Sequence, residues 1–501
     1  MQSETLTIAL ADEAATARLG ADLAAAAKPG DVFALSGDLG AGKTTLARGF
    51  IHSISGDPAL DVPSPTFTLV QSYPGRIPTH HLDLYRLPEG SDLDELGFDE
   101  AISEGVALVE WPERADHVLP ADRIRITLSH EGAGRSAAIS APEETFARLR
   151  RSLDIRAFLI TAGLGDATRT FLLGDASTRA YETVSDGGPK RILMNAPRRP
   201  DGPPIRDGKP YSQIAHLAES VTPFVAIARA LTERGFCAPR IDAQDLDKGL
   251  LLIEHLGDSG FLDEAGQPVP ERYQAAARLL ADMHELDWPR DMEAAPGVTH
   301  RLPAYDRDAM MIEVELLTDW YLPAETGTAL TDADRTEYRA AWDATIARLA
   351  AAEKSIVMRD YHSPNIIWRP EESGNDRLGI IDFQDALYGP SAYDVASLAQ
   401  DARVTISPEL ETSIIAAYKA ARRIGGAFDE TAFDQAYAIM AAQRNSKILG
   451  IFVRLNKRDG KPQYLKHLPR IRDYVSRVLP HPALAEVRAF HDSRSLIGFA
   501  K

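Results

Sequence analysis

The stretch SGDLGAGKTTL, residues 36–46, restricts the fold more tightly than any other part of the chain. Gly37-Asp38-Leu39-Gly40-Ala41-Gly42-Lys43-Thr44 fits G-x-x-x-x-G-K-[ST] in full. It follows the short apolar run DVFALSG and precedes a helical pattern from Lys43. Glycines at this spacing let backbone N–H groups curl around phosphates, and a helix N-terminus adds positive potential. The turn therefore predicts a strand–turn–helix unit in an α/β domain. Lys43 is expected to reach the outer phosphates of ATP, with a catalytic role, and the Thr44 hydroxyl to reach Mg²⁺. The run from Gly37 through Asp38, Leu39, Gly40, Ala41, Gly42, Lys43 and Thr44 to Thr45 is the candidate ATP-binding segment.

At 501 residues the chain exceeds a single core, and the length predicts roughly three domains. Its net charge of −18, without a long basic run, argues against direct DNA binding and membrane adhesion. Cys237 is the only cysteine, so no internal disulfide and no cysteine metal cluster can form. The acidic N-terminus does not read as a signal peptide, and no apolar run approaches the roughly 20 residues of a membrane span. A reducing cytoplasm is the expected compartment. Residues 12–28 read as an amphipathic helix ended by Pro29-Gly30, strands and turns alternate over 60–130, and 143–158 read as helix. The small, polar segment 130–142 reads as a linker, which splits the chain near residue 150. RTFLLGDASTRAYETV then has strand–turn–strand character, RILMNAP reads as a strand, and 196–210 as a Pro/Gly-rich loop. From Tyr211 helical periodicity dominates, broken by a strand pair around 365 and 380. The expected domains are 1–148, then 152–257 and 258–501 as the two lobes of an α+β unit.

Two acids are placed to complete the first site. Glu110 ends the apolar strand ALVEW, and Asp83 lies in HHLDLYRL. GDLGAGKTTL, SPTFTLV (64–70), HLDLYRL (81–87) and VEWPE (109–113) occur in the order found in TsaE. Residues 1–150 resemble that family, the small P-loop ATPase of bacterial tRNA threonylcarbamoyladenosine synthesis. The resemblance implies Thr44 and Glu110 at Mg²⁺, Asp83 near the metal or the γ-phosphate, and Thr16 close to the nucleotide. It implies a nucleotide-sensing loop at Ser64–Phe67 and Trp111 beside the site. It also implies TsaB/TsaD-like partners, through which tRNA would be met indirectly.

A second nucleotide site is written in VMRDYHSPNIIWRP. Asp360-x-x-x-x-Asn365 has the spacing of a kinase catalytic loop, in which the Asp takes the acceptor proton and the Asn binds Mg²⁺. Downstream, LGIIDF places Asp382 at a strand end, as a second metal carboxylate. The glycine-rich loop, D-F-G and A-P-E of protein kinases are absent. His362, LLLIEHLGD (250–258) and LLADMHEL (279–286) resemble the aminoglycoside and choline kinase-like superfamily. That resemblance implies a bilobal protein-kinase-like (aminoglycoside phosphotransferase) domain whose hinge, Glu254 to Leu256, meets adenine. GDASTRAY, RDYHSPNI, IIDFQDALYGPSAYDVASLAQDAR and KILGIFVRLNKRDGKPQYLKHLPR together resemble AmgK. That family phosphorylates the anomeric hydroxyl of N-acetylmuramate and N-acetylglucosamine in cell-wall sugar recycling. It implies Asp360 as base, Asn365 and Asp382 at Mg²⁺, Ser177, Thr178 and Arg179 over the phosphates, and a pocket for an amino sugar. Gln384, Asp385 and Arg444 are candidate pocket residues.

One residue departs from the kinase pattern. Met194 stands in KRILMNAP where a phosphate-directed Lys belongs, leaving Lys190, Arg191 or Arg179 as substitutes. Two rival readings stay open: another small-molecule kinase, of aminoglycoside, choline or homoserine type, and a non-catalytic scaffold. Asp394 is expected to brace the catalytic loop, and His284 to pack in the core.

Overall fold

In the computed structural model, which describes residues 4–88, 93, 97–172, 179–198 and 201–494, the glycine-rich turn joins a strand to a helix. The chain forms two compact units, residues 1–196 with 242–253, and 197–241 with 254–501. In the first, β1 (Thr5–Leu10), α1 (Glu13–Ala26), β2 (Val32–Ser36) and α2 (Lys43–Ser55) lead into β3 (Val70–Tyr73) and β4 (Thr79–Asp83). There follow α3 (Phe98–Glu104), β5 (Val106–Glu110), β6 (Ile124–Glu131), β7 (Gly134–Ser140) and α4 (Glu143–Thr161).

These seven strands make one sheet, in the order β1-β7-β6-β2-β5-β4-β3. β2 is parallel to both β5 and β6, and β4 is parallel to β5. Asp83 and Glu110 are register partners at the ends of β4 and β5, next to the end of β2. Carboxyl ends of parallel strands are where such sheets bind ligands. α1 and α2 cover one face of the sheet with Leu19, Leu23, Leu46, Phe50 and Ile51. The two helices touch at their backbones: a Cβ on Gly20 would lie 2.1 Å from the Leu46 carbonyl, and one on Gly49 2.1 Å from that of Ala17.

One expectation is corrected here. Residues 130–142 are not a linker but the turn and return strand of the β6–β7 hairpin, with Leu128 opposite Ala137 and Ile126 opposite Ile139. The small residues of this segment alternate buried and half-buried, which is strand patterning with little apolar bulk to reveal it. The helix α4 continues unbroken past residue 150 to Thr161.

The same unit holds β8 (Thr168–Leu172), β9 (Ala180–Ser185), β10 (Arg191–Asn195), β11 (Ile241–Asp245) and β12 (Leu250–Glu254), in the sheet order β11-β12-β10-β9-β8. Side chains join this sheet to the first domain. Asp22 of α1, 3% exposed, accepts from Arg156 of α4 and Arg169 of β8 at 2.9 Å each. Arg169 also forks onto Glu182 of β9 at 2.6 and 2.8 Å, and the Ser152 hydroxyl donates to the Asp22 carbonyl.

The second unit is mainly helical, with the expected strand pair near 365 and 380 and further short pairs. Its helices are α5 (Tyr211–Ile214), α6 (Thr222–Glu233), α7 (Pro270–Glu285), α8 (Arg307–Leu316), α9 (Leu322–Thr326) and α10 (Asp332–Ala347). α11 (Ala392–Ala399), α12 (Pro408–Gly425), α13 (Glu430–Asp459), α14 (Leu468–Val478) and α15 (Ala485–Arg494) complete the set. Short antiparallel pairs carry the loops: β13 (Asp291–Ala295) with β14 (Val298–Arg301), β15 (Lys354–Val357) with β18 (Leu387–Pro390), and β16 (Ile366–Trp368) with β17 (Leu378–Ile380). The β15–β18 and β13–β14 pairs were not read from the sequence. No helix among the described residues is long and apolar enough to cross a membrane.

Candidate functional site

The first site is a cavity of about 340 Å³ at the start of α2, lined by Leu39, Gly40, Gly42, Lys43, Thr44 and Thr45 among others. The Lys43 ammonium donates to the carbonyls of Gly37 and Asp38 at 2.7 and 3.0 Å, closing the turn on itself. Burial lowers its pKa, and the charges of Glu110, Glu113, Asp83 and Asp38 act in the opposite direction. Trp111 lies flat against this cation, 3.7 Å from ring centroid to Nζ. Its backbone is left-handed, with φ 59°, a conformation that costs a bulky residue about 1–2 kcal/mol and that packing must hold.

Thr44 Oγ1 donates to Glu110 Oε2 at 3.1 Å, and His81 Nε2 lies 2.9 Å from the other carboxylate oxygen. Ser64 and Thr66 both donate to Asp83 Oδ2, at 2.8 and 2.6 Å. The loop expected to sense nucleotide is thus tied to the acid expected beside the metal, while Phe67 stands 81% exposed. Thr16 lies on α1 against Gly42, and Thr45 Oγ1 is 3.5 Å from Glu13 Oε1.

The second unit brings Asp360, Asn365, Asp382 and Gln384 together. Asn365 donates to the Asp360 carbonyl at 2.9 Å and approaches Asp382 Oδ2 at 3.4 Å. Gln384 donates to Asp382 Oδ1 at 2.9 Å. Arg359 and Asp382 are both left-handed, with φ 71° and 60°, so the backbone turns sharply just before one candidate catalytic carboxylate and at the other. Asp394 holds the first turn by accepting the N–H groups of Met358 and Arg359 at 2.5 and 3.0 Å. Burial pushes Asp394 up to about 7 against those two bonds.

Burial would raise Asp360 too, but the charges of Lys447, His362, Arg444 and Arg359 outweigh it and leave its pKa below the ordinary value. Those cations are anchored in turn. Glu313 is wholly buried, bonded to Arg359 and 2.9 Å from Lys447 Nζ. Although burial raises it, Lys447 and Arg359 bring its pKa down to about 2.

Of the candidate pocket residues, Asp385 accepts the Ala218 N–H at 2.6 Å, and Arg444 donates to the Gln400 carbonyl at 3.4 Å. In the segment expected to meet adenine, the Glu254 N–H donates to the Arg240 carbonyl at 2.9 Å. Ser177 and Thr178 lie outside the described residues. Met194 is buried in β10 opposite Tyr181. Arg179 directly precedes β9. Lys190 and Arg191 lie at the far end of that hairpin, about 16 Å away at the usual strand rise. Arg191 is held there by Asp242 at 2.9 Å.

The profile of threonylcarbamoyl adenosine biosynthesis protein TsaE matches residues 10–137. That of the phosphotransferase enzyme family matches residues 168–432, more than half of the chain. The chain belongs to the phosphotransferase enzyme family, with a TsaE domain fused ahead of it. It is 38% identical over 347 residues to the N-acetylmuramate/N-acetylglucosamine kinase of Caulobacter vibrioides, covering 67% of this chain and 94% of that protein. The Pseudomonas putida protein of the same description is 33% identical over 62% of this chain and 84% of its own length. The TsaE protein of Bacillus subtilis is 43% identical over 111 residues, 22% of this chain and 68% of that protein. The protein is therefore an enzyme with two ATP-using parts, a P-loop ATPase domain and a phosphotransferase that acts on a hydroxyl.

Several residues of these two parts were missed in the sequence. In the TsaE domain, His81 stands two residues before Asp83, and the strand period places both on one face. In the phosphotransferase part, Lys447 follows Arg444 by three on α13, which aligns them on one helix face. Asp401, wholly buried, accepts the Ser363 and Arg403 N–H groups and lies 3.6 Å from His362 Nδ1. Glu313 had no local signal, because its charged partners Arg359 and Lys447 come from far along the chain.

Proposed function

We propose that the C-terminal part transfers the γ-phosphoryl group of ATP to the anomeric hydroxyl of N-acetylmuramate or N-acetylglucosamine, in cell-wall sugar recycling. The observation that carries this is the similarity to kinases described for those two sugars, joined to the Asp360–Asn365–Asp382 cluster. In this reading Asp360 accepts the hydroxyl proton as the sugar oxygen bonds to the γ-phosphorus. The bond from that phosphorus to the bridging oxygen breaks, and ADP leaves. An anomeric hydroxyl is more acidic than an ordinary alcohol, so a carboxylate of lowered pKa suffices as base. Gln384, Asp385 and Arg444 are proposed to line the sugar pocket, Ser177 to Arg179 to cover the phosphates, and Glu254 to Leu256 to meet adenine. Arg179 is the proposed stand-in for the missing strand lysine, because it directly precedes β9 and follows Ser177 and Thr178 in sequence.

The oxygen donors at both sites suit Mg²⁺, a hard cation. Thr44 and Glu110 would hold it in the TsaE domain, with Asp83 near, and Asn365 and Asp382 in the kinase. Bound there, it would neutralise phosphate charge during transfer.

A panel of acceptors offered to the full chain, with product analysis at the anomeric position, tests the kinase reading. N-acetylhexosamines are expected to be turned over fastest. Faster turnover of an aminoglycoside, choline or homoserine would reject it, and no turnover of any acceptor would favour a scaffold.

The TsaE domain is proposed to hydrolyse ATP in support of tRNA threonylcarbamoyladenosine formation, with TsaB/TsaD-like partners. Lys43→Ala is expected to abolish threonylcarbamoylation supported by added partners and to leave sugar phosphorylation unchanged. Collapse of both activities would overturn the independence of the two chemistries.

A further inference from the structure

Four cations, Arg444, Lys447, Arg454 and Arg458, recur along α13 at spacings that place them on one side of the helix. Three of them are engaged. Arg444 donates to the Gln400 carbonyl at 3.4 Å, Lys447 lies 2.9 Å from Glu313, and Arg458 forks onto Asp459 at 2.7 and 2.9 Å. Among the described residues, no acid forms an ion pair with Arg454. Asp459, whose charge reaches it, is the acid held by Arg458. The Arg454 guanidinium lies over the Tyr211 ring, 4.9 Å from its centroid, and its Nε is buried without a hydrogen-bond partner. Burial raises the pKa of the Tyr211 hydroxyl, so this neighbour stays neutral and does not balance the charge.

Tyr211 ties this cation to the candidate acceptor pocket. It begins α5, and the charges of Glu313, Lys447, Arg454 and Arg359 all act on its hydroxyl. The chain just after α5 is fastened to the catalytic segment. The Ala215 carbonyl accepts from Arg359 at 2.8 Å, and the Ala218 N–H donates to Asp385 at 2.6 Å. Arg454 stands two turns of α13 beyond Lys447, about 10 Å at the usual rise, and the Lys447 charge acts directly on Asp360. A cation set back in this way can meet a charge carried away from the reacting hydroxyl of the same acceptor. N-acetylmuramate is N-acetylglucosamine with a lactyl ether, and hence one carboxylate, added at O3. A guanidinium fork fits a carboxylate with two parallel hydrogen bonds, and leaving a buried donor unmatched is costly.

We propose that Arg454 is a specificity-determining residue of the acceptor site that binds the carboxylate of N-acetylmuramate. The inference rests on the proposed kinase reading and assigns to one residue the distinction between its two sugars. Because the carboxylate is remote from the bond that forms, the contact is the same in the ground and transition states. It contributes uniform binding, which appears in KM and not in kcat.

The test compares N-acetylmuramate, its lactyl amide and N-acetylglucosamine as acceptors for the full chain at saturating ATP. Arg454→Ala is expected to raise KM for N-acetylmuramate by about 10- to 100-fold, the range for hydrogen bonds to charged groups, with kcat held. N-acetylglucosamine is expected to keep its kinetic constants, which a merely structural loss would not allow. Arg454→Met keeps an apolar stem on the Tyr211 ring and is expected to behave as the alanine variant does. Arg454→Lys is expected to recover part of the loss, since lysine supplies charge without the fork. In the wild type, the lactyl amide is expected to show the same rise in KM, and Arg454→Ala to treat acid and amide alike. A parallel loss for both sugars, or an unchanged ratio of their kcat/KM values, would overturn the proposal. So would wild-type indifference between acid and amide, a measurement that needs no variant to fold. If the wild type turns over neither N-acetylmuramate nor N-acetylglucosamine, the kinase reading itself fails, and this inference with it.

Discussion

Asp360→Asn is expected to lower sugar phosphorylation by at least about 100-fold, on the scale of general acid–base contributions. The amide keeps the size of the carboxylate and cannot accept the proton. The surroundings should tolerate it, since the loop is held by backbone bonds to Asp394 and by Asn365 on the Asp360 carbonyl. A loss in kcat with ATP affinity retained would identify the base. Equal rates for variant and wild type would remove the role. The wild-type pH profile offers a second reading. The charges of Lys447, His362, Arg444 and Arg359 hold the Asp360 pKa below its ordinary value. A base is lost only as pH falls through its own pKa. The acid limb of kcat/KM is therefore expected below the usual carboxylate range, and Lys447→Met is expected to move that limb upward. A limb that stays in place in Lys447→Met would show that another group sets it.

Asp22→Ala is expected to destabilise the first unit by about 3–5 kcal/mol, the usual cost of removing one partner from a buried ion pair. Arg156 and Arg169 would stay buried with one carboxylate fewer between them. Arg156 would keep the Gly165 and Ala167 carbonyls, and Arg169 would keep Glu182. A fall in melting temperature on the order of 10 °C corresponds to this loss in a unit of this size. Asp22→Asn is expected to fall between, keeping an acceptor but not the charge. The effect should reach the kinase, because Arg169 and Glu182 sit on β8 and β9, within the residues matched by the phosphotransferase family. A fragment beginning at residue 152 lacks Asp22 and α1, so it is expected to melt earlier than the same strands in the full chain. Unchanged melting of Asp22→Ala would show that the cluster carries no net stability.

Both motif sets were legible as sequence because each is local. The Gly37–Thr44 turn needs only its own glycines and the strand and helix around it. Asp360, Asn365 and Asp382 are recognisable from spacing and from the short strands beside them. The β6–β7 hairpin was misread because its alternation is written in Ala, Ser and Gly, which resemble linker composition. The continuity of α4 past residue 150 was not visible for a related reason. α4 is polar on its outer face, yet it buries Ser152 and Arg156 against α1.

What the sequence determined by itself is the pair of families: two motif sets, each placed by short-range geometry, on either side of a fusion. The tertiary structure decided which side chains support them. His81 on Glu110, and Lys447 and Glu313 beneath Asp360, are brought in by strand order and helix packing, which no local spacing encodes. It also decided that the ATPase domain and the β8–β12 sheet share one buried charge cluster. A buried Asp needs its cations within hydrogen-bond reach, and here they come from more than a hundred residues away.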